Sequence, residues 1–424
     1  MLLELYNEDR QLFGSLSIKK DSISLGLGDS EVYSYDCEGR LLTAWLSNQT
    51  FVRTLDNRVI KKWRDPLHGK AWKLIQELEA EEAKRVLDQA RIRIDGVYEQ
   101  LQRGKIRLTC NGETEGDSAR RAGEWPAKIT QWDYARLEGQ GERFRAIYTP
   151  VTILPPDQYL AVVLQATEGC HWNRCTFCHF YRHTRFRIKS HKEFSDHVRA
   201  VKDFFGEGIR LRRSIFLGDA NALVIPQNRL LKIFERVNQE FRILSSRRNR
   251  VVSDNPVFTG IYSFIDAFTG DRKSVADFRE LKARNLRRVY IGAETGCDRL
   301  LKFLNKPATA GQVRDLVATV KQADLSVGVI ILIGVGGEEY TESHVAETVA
   351  LLNSLKLGRG DILYFSPMVE SPVSEYARRS ADAGIRPLAD QEKETQLRAI
   401  RSGLQFTAND KPKIALYDIR EFVY

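Results

Sequence analysis

The stretch ATEGCHWNRCTFCHFYRHTRFRIK, residues 166–189, places Cys170, Cys175 and Cys178 within nine positions. The chain has 424 residues and six cysteines, and the other three, Cys37, Cys110 and Cys297, stand at no motif spacing. Six cysteines are too few for a disulfide framework in so long a chain, so a reducing compartment is expected. Thiolates at the density of the 170–178 loop bind soft metals. The spacing C-x4-C-x2-C admits three readings. A zinc site would draw its fourth ligand from His171, His179, His183 or His191, although structural zinc usually comes as two short pairs separated by a loop. A plant-type 2Fe–2S centre has this spacing and takes a later fourth cysteine, for which only Cys297 remains, and HWNR and TF are bulky for a loop around a small cluster. In the third reading three cysteines hold three irons of a 4Fe–4S cluster and the fourth iron is open to a small molecule.

Outward from the loop, apolar runs alternate with helical patterns. Strands are expected at 159–167, 214–218, 258–264, 288–293, 326–333 and 361–366, with helices at about 191–206, 226–240, 272–284, 309–324 and 338–356. Six strands each next to a helix call for parallel pairing through right-handed crossovers. The fold class is therefore α/β, a partial TIM-like (β/α)6 barrel with an N-terminal α+β accessory region. Loops at the C-terminal strand ends build the active site in such sheets, and the cysteine loop leaves the first strand at that end.

Three regions emerge from these patterns. Residues 1–150 form the accessory region, expected to shape or cover the open barrel. Short antiparallel strands run to about 64, with turns at Glu38-Gly39 and Asp56-Asn57, and one or two helices cover 69–103. CNGETEGDSARRAGEWP, residues 110–126, reads as a loop or linker, and 127–155 fits no single pattern. The core barrel, 151–366, takes up its strand–helix alternation after the Pro155-Pro156 break. A C-terminal extension, 367–424, carries a helix near 388–403 and closes with a strand in YDIREFVY. No internal repeat or low-complexity tract is visible.

At the cysteine loop, with Phe177 just before Cys178, the chain resembles the radical S-adenosylmethionine (SAM) superfamily, whose usual motif is C-x3-C-x-aromatic-C. Here one more residue separates the first two cysteines. FLGDANAL, 216–223, falls where the superfamily places a Gly-Gly-Glu-like turn and reads Gly218-Asp219-Ala220. VYIGAETGCDRLLKFLNKPAT, 289–309, is similar to the G-x-E-S-G…N-K-G-x-T stretch of the branch with oxygen-independent coproporphyrinogen oxidase, the methylthiotransferases and the elongator-type enzymes. Thr295 stands for the serine and Pro307 for the glycine. LIGVGGEE, 332–339, resembles a G-L-P-G-E-T turn, with Gly336 in place of proline. Taken singly, each has a bland alternative: a strand-to-helix turn at 334–337, an acid at a helix start for Glu294, a surface lysine for Lys306.

The resemblance implies a 4Fe–4S cluster on Cys170, Cys175 and Cys178, with SAM as second cofactor. It further implies Phe177 near the adenine, the Gly218-Asp219 turn at the ammonium group, Glu294 on the ribose hydroxyls and Lys306 on the carboxylate. Reductive cleavage would give methionine and a 5′-deoxyadenosyl radical that abstracts hydrogen from a substrate. A reductant such as flavodoxin or ferredoxin is the implied partner. The alternative is an iron–sulfur electron carrier or cluster-bearing scaffold without SAM cleavage.

Absences and charge narrow the class. No second cysteine set is present, and no Asp-x-His-x-x-Gly, so one cluster and no cobalamin are expected. Lysine and arginine number 65 against 56 aspartates and glutamates, a net +9. Arg174, Arg182, Arg185, Arg187, Lys189 and Lys192 cluster without an acid, and SSRRNRVV and ARNLRRVY add smaller groups. These are either solvated ends or a face for an anionic partner, which leaves a small molecule or RNA as substrate. The N-terminus lacks the basic start and apolar run of a secretory signal, and no apolar stretch approaches a membrane span, so a cytoplasmic protein is expected.

Overall fold

The computed structural model describes residues 2–64, 73–110, 124–244, 256–270, 272–370, 374–407 and 410–424. DPLHG at 65–69, most of the 110–126 stretch and the basic SSRRNRVV lie outside the described residues. By backbone proximity the chain forms two units. The first is Met1–Pro150 with Ala200–Arg212 and Val423–Tyr424, and the second is Val151–Arg199 with Arg213–Phe422.

The first unit carries a nine-stranded antiparallel sheet. Seven strands from Leu2–Tyr6 to Val59–Arg64 run one after another as a meander, as the alternating pattern requires. Gly39 and Asn57 turn two of the corners with φ of +87° and +69°. The expected helix over 69–103 is corrected in its first part. Lys73–Glu77 is a strand paired with Val59–Arg64, and the helix runs Ala80–Gln102. KLIQE alternates and is too short to show an apolar helical face, whereas Ala83, Leu87, Ala90, Ile94 and Val97 repeat every three or four residues and are all buried. They meet Leu5, Leu16, Leu25, Tyr33 and Ala44 of the sheet in one core. Within this unit Arg40 is buried but fully engaged. It pairs with Asp36 at 2.7 Å and donates to the carbonyls of Phe204 and Phe205, so the buried charge is compensated.

The second unit is built on seven parallel strands in sequential order. They are Ala161–Gln165, Ser214–Gly218, Ile261–Phe264, Leu286–Glu294, Ser326–Ile333, Ile362–Pro367 and Lys413–Leu416. Helices His191–Phe205, Gln227–Glu240, Val275–Ala283, Ala310–Gln322 and Gly337–Ser354 lie between the first six. The first two strands are buried at every position, which is why they read as continuous apolar runs. The expected strand 258–264 is two pieces, Val257–Phe258 and Ile261–Phe264, because Gly260 (φ +155°) interrupts it. The closing strand expected in 417–424 is not there. Ile419–Glu421 is a single 3₁₀ turn, and the last strand is Lys413–Leu416, which comes after helix Asp390–Ser402 and pairs parallel with Ile362–Pro367. The segment expected as a separate extension thus adds a seventh strand to the same sheet.

Asp157, just before the first strand, shows how strongly this sheet curls. Its carboxylate accepts hydrogen bonds from Tyr290 on the fourth strand, Tyr364 on the sixth and Arg288, each at 2.7 Å. The Tyr417 hydroxyl likewise donates to the Leu154 carbonyl at 2.7 Å. Residues flanking strand one reach strands four, six and seven only if the sheet bends round like a barrel wall.

Candidate active site

The C-terminal ends of the parallel strands surround a cavity of about 220 Å³. Cys170, Cys175, Phe177 and Cys178 from the loop after the first strand line it, together with Asn221, Asp266, Glu294 and Lys306 from the loops after the second, third and fourth. Sites separated by up to 136 positions in sequence therefore share one wall.

The three thiols are free. Burial pushes the Cys175 thiol up to about 12 and the Cys178 thiol up to about 11. The Asn173 N–H donates to Cys170 Sγ at 3.4 Å, and the Phe180 backbone N–H donates to Cys178. Such N–H···S bonds stabilise charge on cluster-bound sulfur. Cys297 does not line the cavity; it is buried in an apolar cluster with Leu300, Leu304, Val335 and Tyr376. Among the described residues no three His, Cys, Asp or Glu side chains converge to hold one ion. Three soft donors lining one cavity, with no fourth cysteine on its wall among the described residues, fit a 4Fe–4S cluster that keeps one iron open.

The cysteine loop is docked on the segment just after helix Asp298–Phe303. Trp172 Nε1 donates to the Asn305 carbonyl (2.8 Å), Asn305 Nδ2 donates to the Arg174 carbonyl (2.8 Å), and the Thr176 N–H reaches the Leu304 carbonyl (3.0 Å). The asparagine of the LNK sequence thus fixes the loop, and the lysine beside it enters the cavity.

Lys306 Nζ meets Glu294 Oε1 at 2.5 Å, with side chains 9% and 10% exposed. Burial alone would lower the lysine, but the Glu294 carboxylate and then the Cys175 sulfur hold it above its ordinary value. Gly292 makes the space, since a Cβ there would strike Glu294 Oε1 and crowd Lys306 Nζ. Glu294 ends the fourth strand in the left-handed region, φ +63°, where the pairing register slips. Its turn is held from below by buried polar groups. Thr295 Oγ1 accepts from the Cys297 N–H at 3.0 Å and meets His344 Nδ1 at 2.7 Å, and the Gly296 N–H donates to Thr348 at 2.9 Å.

His344 is wholly buried, and burial lowers its imidazole to about 4. Its folded value lies below the ordinary 6.5, so the unfolded chain binds the extra proton between those values. Stability is complete above pH 6.5 and falls as pH drops toward 4, by about 3 kcal/mol. Denaturant unfolding at pH 7.5 and 4.5 should show this loss in the natural chain. His344→Gln should be less stable at pH 7.5 and lack that component of the acid slope.

Gly218 and Asp219 do not line the cavity; Ala220 and Asn221 do. The Asp219 carboxylate accepts from Gln165 Nε2 at 2.8 Å and from the Gly169 N–H at 3.2 Å, and so anchors the residue before Cys170. Asn221 donates to Asp266 and, at 3.1 Å, to Thr269, while its buried Oδ1 has no hydrogen-bond partner. His171 stands 3.5 Å from Asp266, and burial holds its imidazole below the ordinary value. Sequence reasoning did not single out Asn221 and Asp266. Their signal was position alone, a polar side chain just beyond a strand's C-terminal end.

The glycine turn at 334–337 is structural. Gly334, Gly336 and Gly337 all have positive φ, and the first two donate N–H groups to Gln396 (2.7 Å) and Tyr376 (2.8 Å). The basic run is also largely engaged within the fold. Arg187 bridges Glu168 and Glu193, Lys189 reaches Glu168, Lys192 pairs with Asp196, and Arg182 binds loop carbonyls.

Residues 164–352 match the Radical SAM superfamily. A curated relative, the tRNA-2-methylthio-N(6)-dimethylallyladenosine synthase of Ehrlichia canis (strain Jake), is 22% identical over 249 residues, 55% of this chain and 49% of that protein. The chain therefore spans about half the length of that relative. Among solved structures, coproporphyrinogen III oxidase (HemN) from Escherichia coli is similar at 14% identity and a TM-score of 0.41, covering 62% of this chain and 55% of that one. Elp3 of the archaeon Methanocaldococcus infernus aligns at 9% identity and 0.37, covering 52% and 51%. The methyltransferase TsrM from Kitasatospora setae, with cobalamin and a [4Fe-4S] cluster bound, aligns at 17% and 0.36, covering 53% and 37%.

Proposed function

Because residues 164–352 form a domain of the radical SAM superfamily, whose cofactors are a 4Fe–4S cluster and S-adenosylmethionine, we propose that this protein cleaves S-adenosylmethionine reductively and removes a hydrogen atom from an organic substrate. The observation that carries this reading is that the thiols of Cys170, Cys175 and Cys178 and the Glu294–Lys306 pair line one cavity at the C-terminal strand ends. When bound, the cluster would supply the electron that breaks the sulfonium C–S bond, leaving methionine and a 5′-deoxyadenosyl radical.

The chain's own residues would hold and shelter these groups. Lys306 would take the cofactor carboxylate and Glu294 the ribose hydroxyls, by charge-assisted hydrogen bonds. Their mutual pairing supports that assignment, since both charges are already ordered before a ligand arrives. Phe177 would lie against the adenine. Asp219 is already engaged with Gln165 and Gly169, which supports a positioning role for it. The unpartnered Asn221 Oδ1 suits the cofactor ammonium. Trp172, Phe180, Phe264 and Phe268 add an apolar wall that would keep water from a radical.

Of the two substrate classes left open by the sequence, a small molecule is favoured over RNA. The lone lysine or arginine on the described cavity wall is Lys306, and the cofactor carboxylate would take it, which leaves no cation there for a phosphate backbone. A flavodoxin- or ferredoxin-type reductant would supply electrons. A cytoplasmic location fits, because a reducing compartment keeps the thiols free, and no described helix is long and apolar enough to cross a membrane. The sequence has no Asp-x-His-x-x-Gly, so we propose a cobalamin-independent reaction.

The test is anaerobic reconstitution with iron and sulfide, then chemical reduction and addition of S-adenosylmethionine. Release of 5′-deoxyadenosine without added cobalamin is expected. A reducible cluster that releases none would make the protein an electron carrier or scaffold.

A further inference from the structure

The loop Cys170–Cys178 has one residue more between its first two cysteines than the C-x3-C-x2-C motif, and the structure contains a device at that point. Asn173 adopts φ +49°, the left-handed conformation that asparagine tolerates better than other side chains bearing a Cβ. One residue in that conformation reverses the chain locally and takes up added length without displacing Cys175 and Cys178 beyond it. Its Nδ2 donates to the Tyr181 carbonyl at 2.6 Å, and its N–H donates to Cys170 Sγ at 3.4 Å.

Arg182 lies across the same loop. Its guanidinium donates from Nε to the Cys178 carbonyl (3.1 Å), from one terminal nitrogen to the Asn173 carbonyl (3.2 Å), and from the other to the Cys175 carbonyl (2.8 Å). Glu375, 3.5 Å away, holds the guanidinium from behind. A planar group with five fixed donors can bind three diverging carbonyls at once, whereas a lysine ammonium cannot copy that fork. The side chain is about a third exposed, and its donors go to the backbone of the loop that carries the thiols.

The geometry points to Asn173 and Arg182 as a clamp that sets the three thiols for cluster assembly and lets the longer C-x4-C spacing work. Both are positioning residues, since neither touches iron. The inference rests on the reading of the three cysteines as cluster ligands. Loss of such supporting contacts typically weakens metal binding about 10–100-fold.

The test uses full-length chain, anaerobically reconstituted, and tracks cluster loss to an iron chelator, with melting of the apo protein measured in parallel. If the natural chain assembles no cluster, the ligand reading itself fails. If it does, Arg182→Gln should release iron at least tenfold faster while the apo melting temperature stays close to that of the natural chain. Arg182→Lys should recover only part of the retention. Asn173→Gly, which keeps access to positive φ, should retain the cluster, and Asn173→Val, which resists it, should not. Natural retention in Arg182→Gln and Asn173→Val overturns the clamp. So does a retention loss in Arg182→Gln that merely tracks a lowered apo melting temperature, or a full recovery with Arg182→Lys.

Discussion

Single replacement of Cys170, Cys175 or Cys178 by alanine is expected to reduce iron from about four atoms per reconstituted chain to near zero, and to end 5′-deoxyadenosine release with it. Each thiol would hold a different iron, so the remaining two cannot cover a lost one. Among the described residues the cavity offers no substitute thiol, because Cys297 lies in an apolar cluster with Leu300 and Tyr376. Cys37 is part of the other unit, where its thiol donates to the Lys20 carbonyl and burial pushes it up to about 11. Alanine at Cys37, Cys110 or Cys297 should therefore leave iron content intact. Loss of iron in Cys297→Ala would revive the ferredoxin-like ligand set.

Removing Glu294 or Lys306 should separate cofactor binding from cluster assembly. Each would lose a hydrogen bond to a charged group, worth about 1.5–3 kcal/mol, or roughly ten- to over a hundredfold in S-adenosylmethionine affinity. Iron content should be unchanged, as neither residue would ligate iron. Their pairing adds a second consequence. Either alanine strands a largely buried charge, which costs about 3–5 kcal/mol in stability, so affinity must be measured on protein shown to be folded. Glu294→Gln with Lys306→Met removes both charges together and should recover stability without recovering affinity. Natural affinity in all three variants would withdraw the assignment of both residues.

The strand and helix order of the core was legible because strands such as Ala161–Gln165 and Ser214–Gly218 are buried on both faces and the helices carry one apolar stripe. Ser214–Gly218 and Ser326–Ile333 match their expected limits to the residue. Lys73–Glu77 and Lys413–Leu416 were not legible. They are short strands of mixed polarity, and what makes them strands is a partner elsewhere in the chain. In the site, Cys170, Cys175 and Cys178 could be named because chemistry restricts clustered thiols to few roles, and Glu294 and Lys306 because residues 289–309 resemble a known motif; that the two pair with each other was not visible. Asn305, Arg182 and Asp266 could not. An asparagine that docks a loop and an arginine that binds carbonyls look like ordinary surface residues until the fold brings their partners within reach. In the basic run at 171–192, Arg182, Arg187, Lys189 and Lys192 meet acids or carbonyls of the same unit, partners that the sequence order alone did not reveal.

The dock beneath the cysteine loop has a consequence for the order of events during synthesis. Trp172 needs the carbonyl of Asn305, and Thr176 needs Leu304 and Tyr376, the last about 200 residues downstream. At roughly 5–20 residues per second, a ribosome takes about 10–40 s to cover that distance. Throughout that interval the three thiols have left the tunnel but lack the surface that shapes them. Iron delivered then would meet a floppy loop free to bind adventitious metal or to be oxidised. Productive loading belongs to a chain already made past Tyr376, and the nascent thiols have to stay reduced until that segment is in place.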